Sequence, residues 1–256
     1  MSKTENFKRK NDRPTNSLRE ISFVRNYTKY AEGSVLVSYG DTKVICNVSF
    51  ENIVPSWLKG KGKGWLTAEY SMLPRATNTR TKREVMVGKA SGRTLEIQRL
   101  IGRSLRSTLN LQKIGERTIT VDCDVVQADG GTRTAAITGS FLALYDACAK
   151  VSLLPDTRSL FVEKVAAVSL GIFNHEVFLD LDYNEDSSCE ADINIVMTSN
   201  GEIVEIQGTA EKKPFSEKLL FSALKDVKNA LEKVFYIQKM MIENPDMKSI
   251  NSRKLK

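Results

Sequence analysis

Apolar and polar residues alternate along several short segments of this chain, a period of two that predicts β-strands with one buried face. β-Hairpins are predicted at residues 34–50, 165–183 and 192–208, and a single strand at residues 118–127. Gly40-Asp41 marks the first turn, and Asn200-Gly201 favours a type I′ turn in the last hairpin.

Apolar residues three and four positions apart predict amphipathic helices between and after these strands. The helices are predicted at residues 94–111, 132–150 and 216–241. The resulting order is hairpin, helix, strand, helix, two hairpins and a final helix. This order indicates an α+β fold in which a unit of β-sheet plus helix is duplicated.

We expect one domain over residues 18–243. A mobile N-terminal arm (residues 1–17) precedes it, and a frayed basic tail (residues 244–256) follows it. Residues 75–93 are polar, basic and aperiodic, which is typical of a long functional loop.

The 256 residues carry a net charge of +7, which favours polyanionic partners but does not bear on the fold. No apolar run is long enough for a membrane span, and the polar N-terminus lacks a secretory signal. We therefore expect a cytoplasmic protein without membrane contact. The four cysteines lie in apolar patterns and are predicted to be reduced core residues, at positions Cys46, Cys123, Cys148 and Cys189.

The one histidine, His175, falls at a predicted hairpin turn and is expected to be solvated. Catalysis by a histidine base is therefore disfavoured. Any catalysis would have to use carboxylates, arginines, backbone amides or a bound metal.

The segment "QADGGTRTA" joins the strand at 118–127 to the helix at 132–150. Gly130 and Gly131 allow a close approach of the backbone to a ligand, and the helix offers free N–H groups and the positive end of its dipole. Arg133 adds a planar fork that matches two phosphate oxygens. The set predicts a phosphate site, with an ordinary glycine turn and a threonine cap as the alternative.

A similar arrangement occurs in "KASGRTLEIQ", where Ser91 and Gly92 place Arg93 at the start of a helix. Two arginines converging on one phosphate would explain both segments, but their spacing in the sequence does not establish that they converge.

Six carboxylates crowd the segment "DLDYNEDSSCEADIN". An acidic surface loop is one reading. The other is a Mg²⁺ site, because Mg²⁺ is commonly bound by one or two carboxylates together with substrate phosphate. Asp186 and Asp192, the latter at the start of a strand pattern, would suit such a site. Asp180 and Asp186 have the same spacing of six, so spacing alone leaves the pair open.

Seven segments occur together and in order: "EGSVLVSYGDTKVIC", "GKGKGWLTAEYSMLPR", "SGRTLEIQRLIGRSLR", "DCDVVQADGGTRTAAITG", "DLDYNEDS", "ADINIVMT" and "EIQGTAE". With these segments the chain resembles the bacterial ribonuclease PH family from about residue 12 to 242. The resemblance implies a duplicated β-α fold like domain 2 of ribosomal protein S5. The segment "SLLPDTRSLFVEK" departs from the family, which affects only a surface linker over residues 152–164.

The resemblance also implies an activity, a phosphate-dependent 3′→5′ exoribonuclease that trims tRNA precursors and other RNA 3′ ends and releases nucleoside diphosphates. The reverse reaction adds nucleotides to RNA 3′ ends. Inorganic phosphate is the co-substrate, and the family assembles as a homohexamer, a trimer of dimers. A catalytically silent ring subunit that only binds RNA is the alternative.

The family's functional residues fall on matching positions of this chain. The implied phosphate ligands are Arg93, Gly131, Thr132 and Arg133. The implied catalytic and Mg²⁺-binding pair is Asp186 and Asp192, chosen over Asp180 because the surrounding letters match. The implied RNA-binding and assembly residues of the basic loop are Arg75, Arg80 and Arg83.

Overall fold

The computed structural model describes residues 9–151 and 156–254. Residues 1–8 of the expected arm, 152–155 of the divergent linker and 255–256 of the basic tail lie outside the described residues.

Ten strands form two sheets in the described part of the chain. In chain order the strands are β1 (Ile21–Arg25), β2 (Gly33–Tyr39), β3 (Thr42–Glu51), β4 (Trp65–Met72), β5 (Thr118–Gln127), β6 (Val165–Phe173), β7 (Glu176–Leu179), β8 (Ala191–Thr198), β9 (Ile203–Ala210) and β10 (Ser249–Asn251). The first sheet has the order β10-β1-β2-β3-β5-β4, and the second has the order β7-β6-β8-β9. Neighbouring strands are antiparallel except for the parallel pair β4 and β5.

Six α-helices connect and cover these sheets in the same part of the chain. They are α1 (Gly92–Arg106), α2 (Leu111–Ile114), α3 (Thr132–Lys150), α4 (Thr157–Leu160), α5 (Tyr183–Ser188) and α6 (Glu217–Glu243). Helix α3 lies between the two sheets, since it packs on β2 and β3 of the first and on β6 of the second. Its residues are accordingly apolar or small almost all the way round, from Ala135 to Cys148.

Helix α6 covers the second sheet, and its stripe of Val227, Leu231 and Val234 is buried against it. Helix α1 packs beside β4 through Ile97, Leu100, Ile101 and Leu105. Each sheet thus has its own covering helix besides the shared α3. The predicted α+β class, with a repeated unit of sheet plus helix, is confirmed.

The three predicted hairpins, the single strand and the three long helices are all present. His175 is exposed at the turn between β6 and β7, as expected. All four cysteines are buried and free. No helix among the described residues is both long and apolar enough to cross a membrane.

Both ends of the chain differ from the expectation of mobile or frayed segments. Residues 249–251 of the tail form β10, which pairs with β1. In the arm, the Arg9 side chain is buried against the second half of the chain, and Thr15 accepts a backbone hydrogen bond from Leu179. Buried arginines and strand pairing hold these segments, because both ends meet partners far away in the sequence.

Candidate active site

The turn between β5 and α3 lies directly against the backbone that leads into α5. Gly130 and Gly131 both have left-handed conformations, with φ of 74° and 64°. A Cβ on Gly130 would lie 2.3 Å from the carbonyl oxygen of Leu181. Only glycine fits there, so the expected phosphate loop and the acidic segment are in contact.

Gly131 occupies the N-cap position of α3, and no side chain caps the helix. The first N–H groups of an α-helix have no partner within the helix, so this end can receive an anion. Neither threonine caps it as the alternative reading supposed. The Thr132 hydroxyl is 2.7 Å from the Tyr70 hydroxyl, and the Thr134 hydroxyl donates to the Gly131 carbonyl at 2.8 Å.

Arg93 and Arg133 line the same cleft of about 590 Å³, together with Asp192. Arg93 lies at the exposed start of α1, where the Ser91 hydroxyl caps the helix by accepting from Thr94 N–H. The structure therefore brings together the two arginines whose convergence the sequence left open.

Two polar side chains that also line this cleft, those of Gln207 and Glu96, contact the Arg133 guanidinium. Its Nη1 donates to Gln207 Oε1 at 3.0 Å and approaches Glu96 Oε1 at 3.4 Å. Gln207 Nε2 donates to the same Glu96 oxygen at 2.8 Å. The sequence reasoning missed Glu96 and Gln207, although both stand in the segments "TLEIQ" and "EIQG" that carried the resemblance.

Asp186 and Asp192 come from neighbouring elements, α5 and the start of β8. Burial raises the pKa of Asp192 to about 6, and the negative charge of Asp186 adds to this rise. Burial also raises the pKa of Asp186, while Arg93 and Arg133 oppose the rise at both carboxyl groups. These four side chains thus lie within electrostatic range of one another.

Asp180, the alternative partner of Asp186 by spacing, has a different environment. It is fully buried, and its two oxygens accept from Arg19 Nη2 at 2.8 Å and Arg19 Nε at 3.1 Å. Burial alone would raise the pKa of Asp180, but the charge and hydrogen bonds of Arg19 outweigh it and hold the pKa below its usual value. Asp180 therefore has the environment of a structural carboxylate.

The described residues contain no group of three or more His, Cys, Asp or Glu side chains arranged to hold a metal ion by themselves. The donor set of Asp186 and Asp192 nevertheless suits Mg²⁺, which often keeps several waters and takes one or two carboxylates plus substrate phosphate. The amide nitrogen of Asn194 lies 3.4 Å from both Asp192 oxygens and orients that carboxylate toward the cleft.

The basic loop between β4 and α1 exposes Arg75, Arg80 and Arg83. Arg83 lines a second cleft of about 660 Å³, and Arg93 lies on the border between this cleft and the first one. Arg75 and Arg80 line neither cleft. Of the three arginines, the structure thus places Arg83 in a cleft that Arg93 also lines.

Residues 17–150 match domain 1 of the 3′ exoribonuclease family, and residues 164–225 match its domain 2. Among solved structures, Rrp46 of rice (Oryza sativa) is 21% identical with a TM-score of 0.73, over 90% of this chain and 98% of that one. An Archaeoglobus fulgidus exosome with RNA bound to the active site is 20% identical with a TM-score of 0.75, over 88% and 90%. An archaeal exosome core is 20% identical with a TM-score of 0.71, over 89% of each chain. The expected ribonuclease PH fold, like domain 2 of ribosomal protein S5, is thereby confirmed.

Proposed function

Because the chain belongs to the 3′ exoribonuclease family, we propose that it is a phosphate-dependent 3′→5′ exoribonuclease that trims tRNA precursors. One observation carries the proposal. Arg93, Arg133 and the uncapped start of α3 face Asp186 and Asp192 across one site, which offers an anion cradle beside a pair of carboxylates.

In the proposed reaction, Arg93, Arg133 and the backbone amides of Gly131, Thr132 and Arg133 hold inorganic phosphate in line with the last phosphodiester of the RNA. A phosphate oxygen attacks the terminal phosphorus and the bond to the 3′ oxygen breaks. The terminal nucleotide leaves as a nucleoside diphosphate. The proton of the attacking hydrogen phosphate ends on the leaving 3′ oxygen, and one of the two carboxyl groups relays it there.

Asp186 and Asp192 would hold Mg²⁺, which when bound supplies charge stabilisation at the transferring phosphoryl group. Positioning and electrostatics carry most of the acceleration in phosphoryl transfer. Run in reverse, the same site adds nucleotides from nucleoside diphosphates to RNA 3′ ends. The net charge of +7 suits an RNA substrate, and we propose a cytoplasmic homohexamer.

The alternative is a catalytically silent ring subunit that binds RNA. The likeness to Rrp46 and to exosome cores is at about 20% identity, so it bears on the fold alone and does not decide between the two functions. The assembled set of Arg93, Arg133, Asp186 and Asp192 favours the enzyme, because a purely binding subunit would not need it.

The test is to incubate a tRNA precursor with the purified protein and Mg²⁺, with and without inorganic phosphate. The proposal expects phosphate-dependent shortening from the 3′ end and nucleoside diphosphates as products. Nucleoside monophosphates released without phosphate would indicate hydrolysis instead. RNA binding without any shortening would support the silent subunit.

A further inference from the structure

The guanidinium of Arg9 is enclosed beside α5, the short helix that carries Asp186. Its side chain is 3% exposed. It binds Glu185 with both arms of its fork, Nε to Oε1 at 2.6 Å and Nη2 to Oε2 at 2.9 Å. Nη2 also donates to the Leu179 carbonyl at 2.6 Å, and the guanidinium lies 5.2 Å from the ring centre of Phe178.

Glu185 is in turn the residue that fixes the first turn of α5. Its Oε2 accepts from the backbone N–H of Asp182 at 3.0 Å, while Asp182 Oδ1 accepts from Glu185 N–H at 3.0 Å. This reciprocal pair is a capping box. Arg13 Nη2 adds a further contact to Glu185 Oε2 at 3.1 Å.

A helix of six residues is too short to be stable by itself, so its orientation depends on these anchors. Asp186 directly follows Glu185, and its N–H donates to the Asp182 carbonyl at 2.8 Å. Any rotation of Glu185 would therefore move the Asp186 carboxylate.

Stability alone is a weak reason to bury such a pair. Removing an arginine and a carboxylate from water costs several kcal/mol, and their attraction often only offsets that cost. A bidentate pair does define an orientation, which a flexible apolar contact would not.

We propose that Arg9 is a positioning residue for Asp186 that acts through Glu185, an inference that rests on the proposed function of the site. Arg9 orders the acidic half of the site, whereas the phosphate ligands lie on α1 and α3. Loss of Arg9 should therefore reduce turnover without weakening the binding of phosphate.

The first experiment compares Arg9→Lys with Arg25→Lys, since lysine keeps the charge and loses the fork. Arg25 is a matched control, because its guanidinium is also buried and binds both oxygens of Asp146, between β1 and α3. Both variants should lose thermal stability. Only Arg9→Lys should lower kcat, by about tenfold to a hundredfold, the cost of a misplacement near 1 Å. The KM for phosphate should stay within about twofold.

Glu185→Gln is the second variant, in case Arg9→Lys folds poorly, because glutamine keeps the shape and removes the charge. It should reproduce the fall in kcat with an unchanged KM for phosphate. In an Asp186→Asn background, Arg9→Lys should lower the residual rate little further, since both changes act on one carboxylate. Equal kcat values for Arg9→Lys and Arg25→Lys, or full additivity with Asp186→Asn, would overturn the proposal.

Amide hydrogen exchange tests the role of Arg9 independently of the proposed function. If the wild-type protein releases no nucleoside diphosphates, the proposed function fails. The exchange rates of the amides of residues 183–190 still show whether Arg9 orders α5. Faster exchange confined to that segment in Arg9→Lys supports the positioning role, and unchanged exchange overturns it.

Discussion

Gly130 and Leu181 touch so closely that a single added methyl group would separate the proposed phosphate loop from the acidic segment. The Cβ of an alanine at position 130 would lie 2.3 Å from the Leu181 carbonyl oxygen. This contact joins the last turn before α3 to the backbone before α5, and so sets the spacing between the two halves of the site.

Gly130→Ala should therefore destabilise the fold and depress turnover together. The positive φ of 74° adds strain of about 1 to 3 kcal/mol, and the steric overlap adds to it. Gly60→Ala is the control, because Gly60 has a φ of 78° but nothing within 4 Å of its Cβ position. Chemical denaturation and phosphorolysis rates should show a clearly larger effect at position 130, and equal effects would contradict the role of the contact.

Arg133→Lys should raise the KM for phosphate by about tenfold or more, or about 1.4 kcal/mol per decade, because lysine cannot bind two phosphate oxygens with a planar fork. Steady-state rates at varied phosphate and saturating RNA measure this. Arg99→Lys, on the exposed side of α1, should leave that KM unchanged. Weaker RNA binding with a normal KM for phosphate would mean that Arg133 is not a phosphate ligand.

Asp192→Asn should abolish most turnover while RNA binding persists or improves, since a negative group near the RNA backbone is removed. The same change should stabilise the metal-free protein at pH 7. Burial raises the pKa of Asp192 from 3.8 to about 6, so the folded state prefers the protonated carboxyl group and loses stability as pH rises through this range. The gain is at most about 3 kcal/mol and should vanish below about pH 4. Thermal unfolding in EDTA across pH 4 to 8 measures it.

Asp180→Asn should change the stability of the fold in the opposite direction, by lowering it at neutral pH. Arg19 lowers the pKa of Asp180, so its contribution is present at neutral pH and is lost as pH falls below its usual range. Removal of the charge leaves the buried Arg19 with only the longer ion pair to Asp129 at 4.0 Å, at a cost of about 3 to 5 kcal/mol. A stable Asp180→Asn variant without activity, beside an active Asp192→Asn variant, would show that the wrong aspartate pair was chosen.

Replacement of Arg75, Arg80 and Arg83 by alanine should flatten the salt dependence of RNA affinity. Each phosphate contact contributes a slope of about −0.7 on single strands and about −0.9 on duplexes, so the slope should change by roughly two to three. Cleavage of a very short oligonucleotide should change little, because the chemistry lies elsewhere.

Alanine at the exposed lysines Lys225, Lys228 and Lys233 of α6 is the charge-matched control. The assembly state of both variants should also be measured by sedimentation. A shift from hexamer to dimer would assign the basic loop to assembly, and an unchanged slope in an unchanged assembly would leave it a solvated loop.

The sequence predicted those strands and helices that show a clear periodic spacing of apolar residues within a single segment. Strand β5 and helix α3 begin and end at the predicted residues. Apolar and polar residues alternate strictly before the pair Gly130 and Gly131, and the apolar residues after this pair have helical spacing, so the boundary is clear in the sequence. Helix α5 was not predicted within the acidic segment, since six residues are too few for a helical period to show.

Contacts between distant segments could not be predicted in the same way. No local pattern reports that Arg9 meets Glu185, that β10 pairs with β1, or that Glu96 and Gln207 hold Arg133. The resemblance supplied the identities of the proposed ligands. Their convergence on one cleft is a property of the fold.

The pair of Arg9 and Glu185 also bears on how the protein is made. The two residues are 176 positions apart, so at about 5 to 20 residues per second a ribosome synthesises Glu185 roughly 9 to 35 s after Arg9. During that interval neither Glu185, the partner of Arg9, nor Asp186 has been synthesised. Strands β1 to β5 can thus pair before Asp186 and Asp192 have been made, so an unfinished nascent chain lacks the acidic half of the proposed site.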